Sequence, residues 1–178
     1  MVQLRLFLGL ALAVVCATAQ GGGVTARMEF ACLWWSEAQM NGLNPNAPPP
    51  KATEVRIKQW EYTDPVGVPH PDVVDAVLLL SGTGANGLTG LEVEFTAQWK
   101  IGRYGKPRTA VWGAVKPMRI VAAAGEVRLP VDLKMMMDTL EKQDRWPFAL
   151  RVSAVVKRRG ATVPLAQVRG ELPIRQGD

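Results

Sequence analysis

The sequence predicts an all-β protein, an antiparallel β-sandwich of about seven or eight strands with one short helix near residues 133–143. Apolar and polar residues alternate strictly over residues 91–101, as expected for a strand with one buried and one solvated face. Further short segments of this kind follow one another without the helix–strand alternation that is typical of a parallel α/β sheet. The immunoglobulin or fibronectin III type of sandwich is therefore the expected architecture, although the cysteine–tryptophan–cysteine hallmark of antibody domains is missing.

The first strand is predicted over residues 24–35, where alternate apolar side chains fall on one face: Met28, Phe30, Cys32 and Trp34. Further strands are predicted where alternation or an apolar run is bounded by turns rich in glycine and proline. In chain order these are residues 54–62, 73–80, 91–101, 110–122 as one or two strands, 126–131, 148–156 and 162–174. The last two form a C-terminal hairpin. Prolines lack a backbone donor, so Pro117 indicates a sheet edge or a bulge, and Pro164 and Pro173 indicate a sheet edge.

A short helix is predicted after residue 131. Asp132 is typical of an N-cap, because its carboxylate can accept hydrogen bonds from the first free amides of a helix. The apolar residues that follow have the i, i+3, i+4, i+7 spacing of a single helical stripe: Leu133, Met136, Met137 and Leu140. This stripe predicts a helix that packs one face on the sandwich.

We expect three segments: a signal peptide over residues 1–19, an N-terminal segment with a possible strand and a proline-rich connector over residues 20–51, and the β-sandwich domain over residues 52–178. Arg5, an apolar run and the small residues up to Ala19 have the three-part layout of a secretory signal. The run is too short for an ordinary membrane-spanning helix. We therefore expect a secreted or periplasmic protein, cleaved after Ala19.

A second route of processing stays open. Residues 13–16 resemble the cleavage box of bacterial lipoproteins, although Val15 is bulkier than that position prefers. In this alternative, Cys16 carries a lipid and the domain is anchored to a membrane, which is the one case in which a membrane is an expected partner. Cleavage after Ala19 instead leaves Cys32 alone, so that no intramolecular disulfide can form.

The charge pattern predicts neither a nucleic-acid partner nor a cofactor. The formal net charge is +5, and apart from a basic loop over residues 102–109, cations and anions are mixed along the chain. This pattern lacks the basic patch of a nucleic-acid-binding domain. No metal is expected, because His70 is the single histidine and no Cys/His cluster accompanies it. The glycine-rich segment 81–90 lacks the Gly-Lys-[ST] ending of a phosphate-binding loop.

Catalysis is not expected. The sequence has no nucleophile elbow, and Cys32 fits a small buried strand residue better than the thiol of a catalytic pair with His70. One alternative is a hydrolase of unfamiliar type that uses the carboxylates of a predicted loop: Asp64, Asp72 and Asp75. Another alternative is a structural subunit that associates with its neighbours through sheet edges.

The candidate binding surface is a row of alternate residues on one predicted strand: Arg56, Lys58, Trp60 and Tyr62. An exposed row of aromatic rings and cations can stack on sugar rings or dock a protein. We therefore expect an exported, non-catalytic binding or accessory domain that recognises protein or polysaccharide at the cell envelope.

Overall fold

The computed structural model of the chain describes residues 23–34, 53–62, 72–82, 87–122 and 125–176. Within these ranges, ten strands and one helix form an all-β sandwich of two sheets, which confirms the predicted fold class. The strands are β1 (Val24–Trp34), β2 (Thr53–Ile57), β3 (Trp60–Tyr62), β4 (Val73–Gly82), β5 (Leu91–Gly102), β6 (Val111–Trp112), β7 (Lys116–Ala122), β8 (Glu126–Asp132), β9 (Trp146–Arg158) and β10 (Ala166–Gln176). The helix is α1 (Leu133–Glu141), and a 3-10 turn covers Pro107–Thr109.

The two sheets differ in size and in the direction of one strand. The four-stranded sheet has the order β2-β1-β4-β8, and all of its neighbouring strands are antiparallel. The six-stranded sheet has the order β3-β10-β9-β5, and β6 and β7 pair one after the other with the remaining side of β5. β3 is parallel to β10 over three residue pairs, whereas the other pairs of this sheet are antiparallel. The predicted C-terminal hairpin is formed by β9 and β10.

The first predicted strand is β1, and it lies inside the four-stranded sheet, between β2 and β4. Its side chains Met28 and Phe30 are buried, as the alternation predicts. The side chain of Trp34 lies outside the described part of the structure, as do the predicted signal peptide over residues 1–19 and the connector over residues 44–51.

The core consists of the inward rows of the two sheets. On β5 the predicted alternation is confirmed, because Leu91, Val93 and Phe95 are fully buried between polar neighbours. Towards the end of β5 the inward row is half-buried: Ala97 and Trp99 still pack against the core, and Ile101 follows them. This end of β5 is where the candidate site is found.

Two predicted segments are divided in the structure. The segment over residues 54–62 is broken at Lys58 and Gln59, and its parts β2 and β3 belong to different sheets. The segment over residues 110–122 becomes β6 and β7, and the N–H of Gly113 between them donates a hydrogen bond to the carbonyl of Trp99 at 2.8 Å. Two strands over residues 110–122 are one of the predicted outcomes, whereas the break at Lys58 and Gln59 adds a strand that the sequence does not predict.

Helix α1 begins as predicted. The carboxylate of Asp132 accepts a hydrogen bond from the N–H of Met135 at 2.8 Å, which is the expected N-cap. Leu133, Met137 and Leu140 are buried, and this face of the helix lies against β9 and β4. Among the described residues there is no helix with the length and apolarity that crossing a membrane requires.

Candidate functional site

The structure separates the residues of the predicted binding row. Arg56 is exposed on β2, and Lys58 is exposed just beyond it. Trp60 is only 5% exposed and belongs to the core, so the prediction of an exposed Trp60 is wrong. Tyr62 pairs with Gln176 along β10, and its side chain lies outside the described part of the structure. The predicted row is therefore not one surface.

The burial of Trp60 follows from the passage of the chain between the sheets. In a single extended strand Arg56 and Trp60 would lie on the same side, because alternate residues share a side. A segment that crosses between two facing sheets without turning over presents this side outward in the first sheet and inward in the second. Alternation along a single strand therefore does not predict the burial of Trp60, because Arg56 and Trp60 belong to different sheets.

Arg56 belongs to a group of ion pairs on the outer face of the four-stranded sheet, which we call the arginine network. Its members come from all four strands: Arg27, Glu29, Glu54, Arg56, Asp75, Glu126 and Arg128. Arg128 contacts Glu54 at 2.7 Å and Asp75 at 3.1 Å. Glu126 contacts both Arg128, at 2.6 Å, and Arg56, at 3.4 Å. The cations of this face are therefore neutralised by their neighbours.

The arginine network also covers apolar residues of the outer face. Ala31 and Val77 are fully buried, although they belong to the row that points away from the core. Ala31 is paired with Arg56 across the strands, and Val77 with Arg128, so that the aliphatic stems of the arginines lie next to them. These observations assign the arginine network, and Arg56 within it, a structural role.

Arg128→Ala should make stability less dependent on pH in acid. The hydrogen bond and the positive charge from Arg128 hold the pKa of Glu54 below its ordinary value. A lowered pKa in the folded state stabilises the fold above the unfolded pKa of about 4.3, and the contribution is lost as the pH falls through the folded value. In urea denaturation, the variant should be less stable than the wild type at neutral pH. The difference should shrink as the pH falls through the range in which Glu54 becomes protonated, and the part that comes from the lost cover over Val77 should remain.

Arg169→Ala is the matched control for this prediction. Arg169 is exposed on β10 and has no ion-pair partner among the described residues. Its truncation should leave the pH dependence of stability unchanged. A difference between the wild type and Arg128→Ala that stays constant from neutral to acid pH would show that Arg128 does not act through Glu54.

The carboxylates of the alternative hydrolase lie in structural positions where they are described. Asp75 lies within β4 and contacts Arg128 in the arginine network. Asp72 is exposed, and its backbone carbonyl accepts a hydrogen bond from the N–H of Leu133 at 2.8 Å, at the start of α1. Asp64 lies outside the described residues. The geometry of Asp75 thus indicates an ion-pair residue rather than a catalytic acid or base.

Cys32 is buried on β1, as the sequence predicts. Burial raises the pKa of its thiol, which keeps the thiol protonated and weakly nucleophilic. The proposed partner His70 lies outside the described residues. Within the ranges that the structure describes, no three His, Cys, Asp or Glu side chains form a group that could hold a metal ion.

The candidate functional site is an open cleft at the end of the sandwich where β5 meets β9, which we call the loop-end cleft. Its volume is about 560 Å³, which is in the range of small-ligand sites. The lining residues are Ile101, Gly102, Arg103, Thr109, Val111, Gln143, Asp144 and Arg145. One wall is the loop after β5 and the other is the turn between α1 and β9. Pairing of Gly102 with Trp146 brings the two walls together.

Backbone hydrogen bonds fix both walls of the loop-end cleft. In the first wall, the N–H of Lys106 donates to the carbonyl of Arg103 at 3.0 Å, just before the 3-10 turn. In the second wall, the N–H of Arg145 donates to the carbonyl of Leu140 at 3.0 Å. Asp144 has a φ of 53°, a left-handed conformation that aspartate tolerates better than most residues. The cleft is therefore formed by ordered backbone.

Cations dominate the surface around the loop-end cleft. Two of them line it, and three more lie in the same loop or at the end of α1: Arg103, Arg145, Lys106, Arg108 and Lys142. All are exposed, and none has an ion-pair partner in the part of the chain that the structure describes. Asp144 is the acidic residue of the lining. Unlike the arginine network, this end of the sandwich therefore carries a local positive potential.

Aromatic and apolar side chains are exposed beside these cations. Tyr104 follows Arg103 in the loop, is 59% exposed, and packs edge-to-face on Trp146 with ring centroids 5.3 Å apart. Val111 and Val115 are exposed on β6 and in the loop after it. Exposed aromatic rings together with arginines are typical of binding surfaces.

Another arginine, Arg151, lies on the outer face of the six-stranded sheet but already has partners. Its guanidinium carbon is 3.7 Å from the centroid of the Trp112 ring, and Glu171 contacts it at 3.1 Å. Its cross-strand neighbour Gln98 donates a hydrogen bond to the carbonyl of Gly113 at 2.8 Å. This cluster holds β6 against the sheet and is a weaker binding candidate than the loop-end cleft.

The residues of the loop-end cleft are not among the candidate binding residues predicted from the sequence. The available signal is the basic loop over residues 102–109, which contains Tyr104, together with a second polar and basic stretch over residues 142–145. Each stretch alone fits an ordinary loop, and their association depends on a pairing between distant strands. The chain matches no protein-family model and no curated protein at a significant level of similarity.

Proposed function

We propose that the protein is an exported, non-catalytic binding domain that recognises a protein or polysaccharide of the cell envelope through the loop-end cleft. The observation that carries the proposal is that Arg103 and Arg145 line one cleft and lack ion-pair partners among the described residues. Such cations, held by a rigid scaffold, are available to a ligand. Export rests on the secretory layout over residues 1–19, with a lipid anchor at Cys16 as the alternative.

We also propose that the sandwich is immunoglobulin-like. β4 and β8 are neighbours in one sheet, and β5, β9 and β10 are consecutive neighbours in the other. This arrangement parallels the B–E and C–F–G neighbours of an immunoglobulin domain. By this correspondence the loop-end cleft lies between the loop after strand C and the connection from E to F, at the end opposite the B–C and F–G loops. Its proposed role therefore rests on its own side chains and not on the fold.

Association through sheet edges, the structural alternative, has less support. The edge strand β8 carries Arg128 and Pro130, and β7 begins with Lys116 and Pro117. The edge strand β3 has three residues. Charges, prolines and short strands are features that protect sheet edges from pairing with other chains. A mass in solution that rises with protein concentration would favour this alternative.

The proposal is tested by capture of envelope material from the native host on the immobilised protein. Combining Arg103→Glu with Arg145→Glu should abolish capture, because attraction at the loop-end cleft becomes repulsion. Thermal unfolding establishes whether the variant is folded. N-terminal sequencing of the native protein tests export. The mature protein is expected to begin directly after Ala19.

The matched control combines Arg159→Glu with Arg169→Glu. It makes the same change of net charge at two exposed arginines, neither of which lines the cleft. Arg159 lies in the turn after β9, whereas the cleft lies at the start of β9. The control should retain capture, and equal capture by both double variants would contradict the proposed function.

A further inference from the structure

The loop-end cleft combines cations with neutral hydrogen-bonding groups. Arg103 belongs to one wall and Arg145 to the other, so a ligand in the cleft has a cation on each side. Each guanidinium can hold a carboxylate through two parallel hydrogen bonds. Thr109 and Gln143 line the same cleft. The hydroxyl of Thr109 donates to the carbonyl of Lys106 at 3.0 Å and can accept from a ligand, and the amide of Gln143 can both donate and accept. This set of groups suits a ligand with separated carboxylates and with hydroxyls between them.

Asp144 limits which anionic ligands the loop-end cleft can bind. Its carboxylate lies in the lining, where it repels a dense polyanion such as polyphosphate or a nucleic acid. The same carboxylate can accept hydrogen bonds from sugar hydroxyls. The charges of the cleft therefore fit a polymer whose units each carry one negative charge, separated by neutral surface that bears hydroxyl groups.

Tyr104 adds a flat surface beside the cations. Tyr104 is 59% exposed, and its ring has an edge-to-face contact with Trp146. An ordered and partly exposed ring can stack on the apolar face of a sugar. A peptide would instead need pockets for its side chains or an open sheet edge. The lining offers a peptide few apolar contacts, because its apolar side chains are those of Ile101 and Val111.

We infer that the loop-end cleft binds a carboxylated polysaccharide, a chain of uronic acid units, at the cell envelope. The inference rests on the proposed function and names the ligand class of the same site. Arg103 and Arg145 hold carboxylates of the chain. Asp144 and Gln143 bind its hydroxyls, and Tyr104 stacks on a sugar ring.

Isothermal titration calorimetry with two matched ligands tests the inference on the unaltered protein. The first probe is an oligomer of galacturonic acid, and the second is the same oligomer with its carboxyls methyl-esterified. The ester should bind at least about tenfold more weakly, because it cannot form charge-assisted hydrogen bonds. Binding of the acid should weaken as the salt concentration rises. This comparison needs no variant and so does not depend on how a variant folds.

Two variants then locate the binding site. Arg103→Lys keeps the charge but removes the planar fork, and it should weaken binding of the acid about fivefold. Tyr104→Ala should weaken binding by a similar factor through lost stacking. Arg159→Lys is the matched control, since it makes the same replacement at an exposed position outside the lining and should bind the acid like the wild type.

Each other outcome overturns the inference. Equal binding of the acid and the ester would exclude recognition of the carboxylates. Tighter binding of poly-glutamate or polyphosphate would assign the cleft to an acidic protein or to a dense polyanion. If oligogalacturonate does not bind at millimolar concentration while envelope capture still requires Arg103 and Arg145, the ligand class is wrong and the proposed function stands. If capture does not require these arginines, the proposed function fails as well.

Discussion

Leu150→Ala should lower the free energy of unfolding by about 3 kcal/mol. Leu150 is fully buried on β9, a strand that lies between β10 and β5. It is paired with Leu172 on one side and with Trp99 on the other. Because strands flank it on both sides, the backbone cannot close over the cavity that the truncation leaves. The loss of apolar burial and the cost of the cavity therefore add.

The matched control is Leu33→Ala, which removes the same atoms from a leucine that is 64% exposed. It should cost less than about 0.5 kcal/mol. Urea denaturation followed by tryptophan fluorescence measures both variants. Since domains of this size are stable by about 5–15 kcal/mol, the expected loss for Leu150→Ala is large enough to shift the midpoint clearly. Similar losses at Leu150 and Leu33 would contradict the central position of β9.

Local signals explain why some elements could be predicted from the sequence. The alternation over residues 91–101 depends on neighbouring side chains alone, and β5 follows it. The N-cap Asp132 and the stripe that includes Leu133 and Met137 also act within two turns of chain, and α1 follows them. In these cases the residues that decide the structure lie within the element itself.

Long-range pairing explains what could not be predicted. Nothing local marks the passage between sheets at Lys58 and Gln59, so the burial of Trp60 could not be predicted from alternation. The loop-end cleft likewise depends on which strand lies beside β5. Gly102 is required there because a Cβ would lie 2.9 Å from Ala110, where the loop folds back. The charge of the loop is visible in the sequence, but its position against the end of α1 is not.

Gly170 is a point of close approach between the two sheets. It belongs to the inward row of β10, between the buried residues Val168 and Leu172. A Cβ at this position would lie 2.7 Å from Cγ of Met28 and 3.0 Å from Cε2 of Phe30 on β1. Packed interiors leave no room for such overlap, so β1 and β10 can face each other at this distance because residue 170 has no side chain.

Gly170→Ala should therefore lower the free energy of unfolding by about 1–3 kcal/mol. A glycine-to-alanine replacement ordinarily raises the free energy of unfolding where the native backbone allows alanine, because it restricts the unfolded chain. At Gly170 we expect the opposite change. Met28 can turn part of its side chain away, but Phe30 is buried in the core and a shift of its ring disturbs its neighbours. The overlap thus outweighs the gain from the unfolded state.

Gly113→Ala is the control that separates overlap from the loss of a glycine. A Cβ at Gly113 would have the carbonyl oxygen of Trp99 as its neighbour, at an ordinary 3.6 Å. This variant should be as stable as the wild type or slightly more stable, because the unfolded chain loses freedom and the fold gains no clash. Urea denaturation compares the two variants directly. Equal stability of Gly170→Ala and Gly113→Ala would refute the close approach of β1 and β10, and with it the packing of the two sheets at this point.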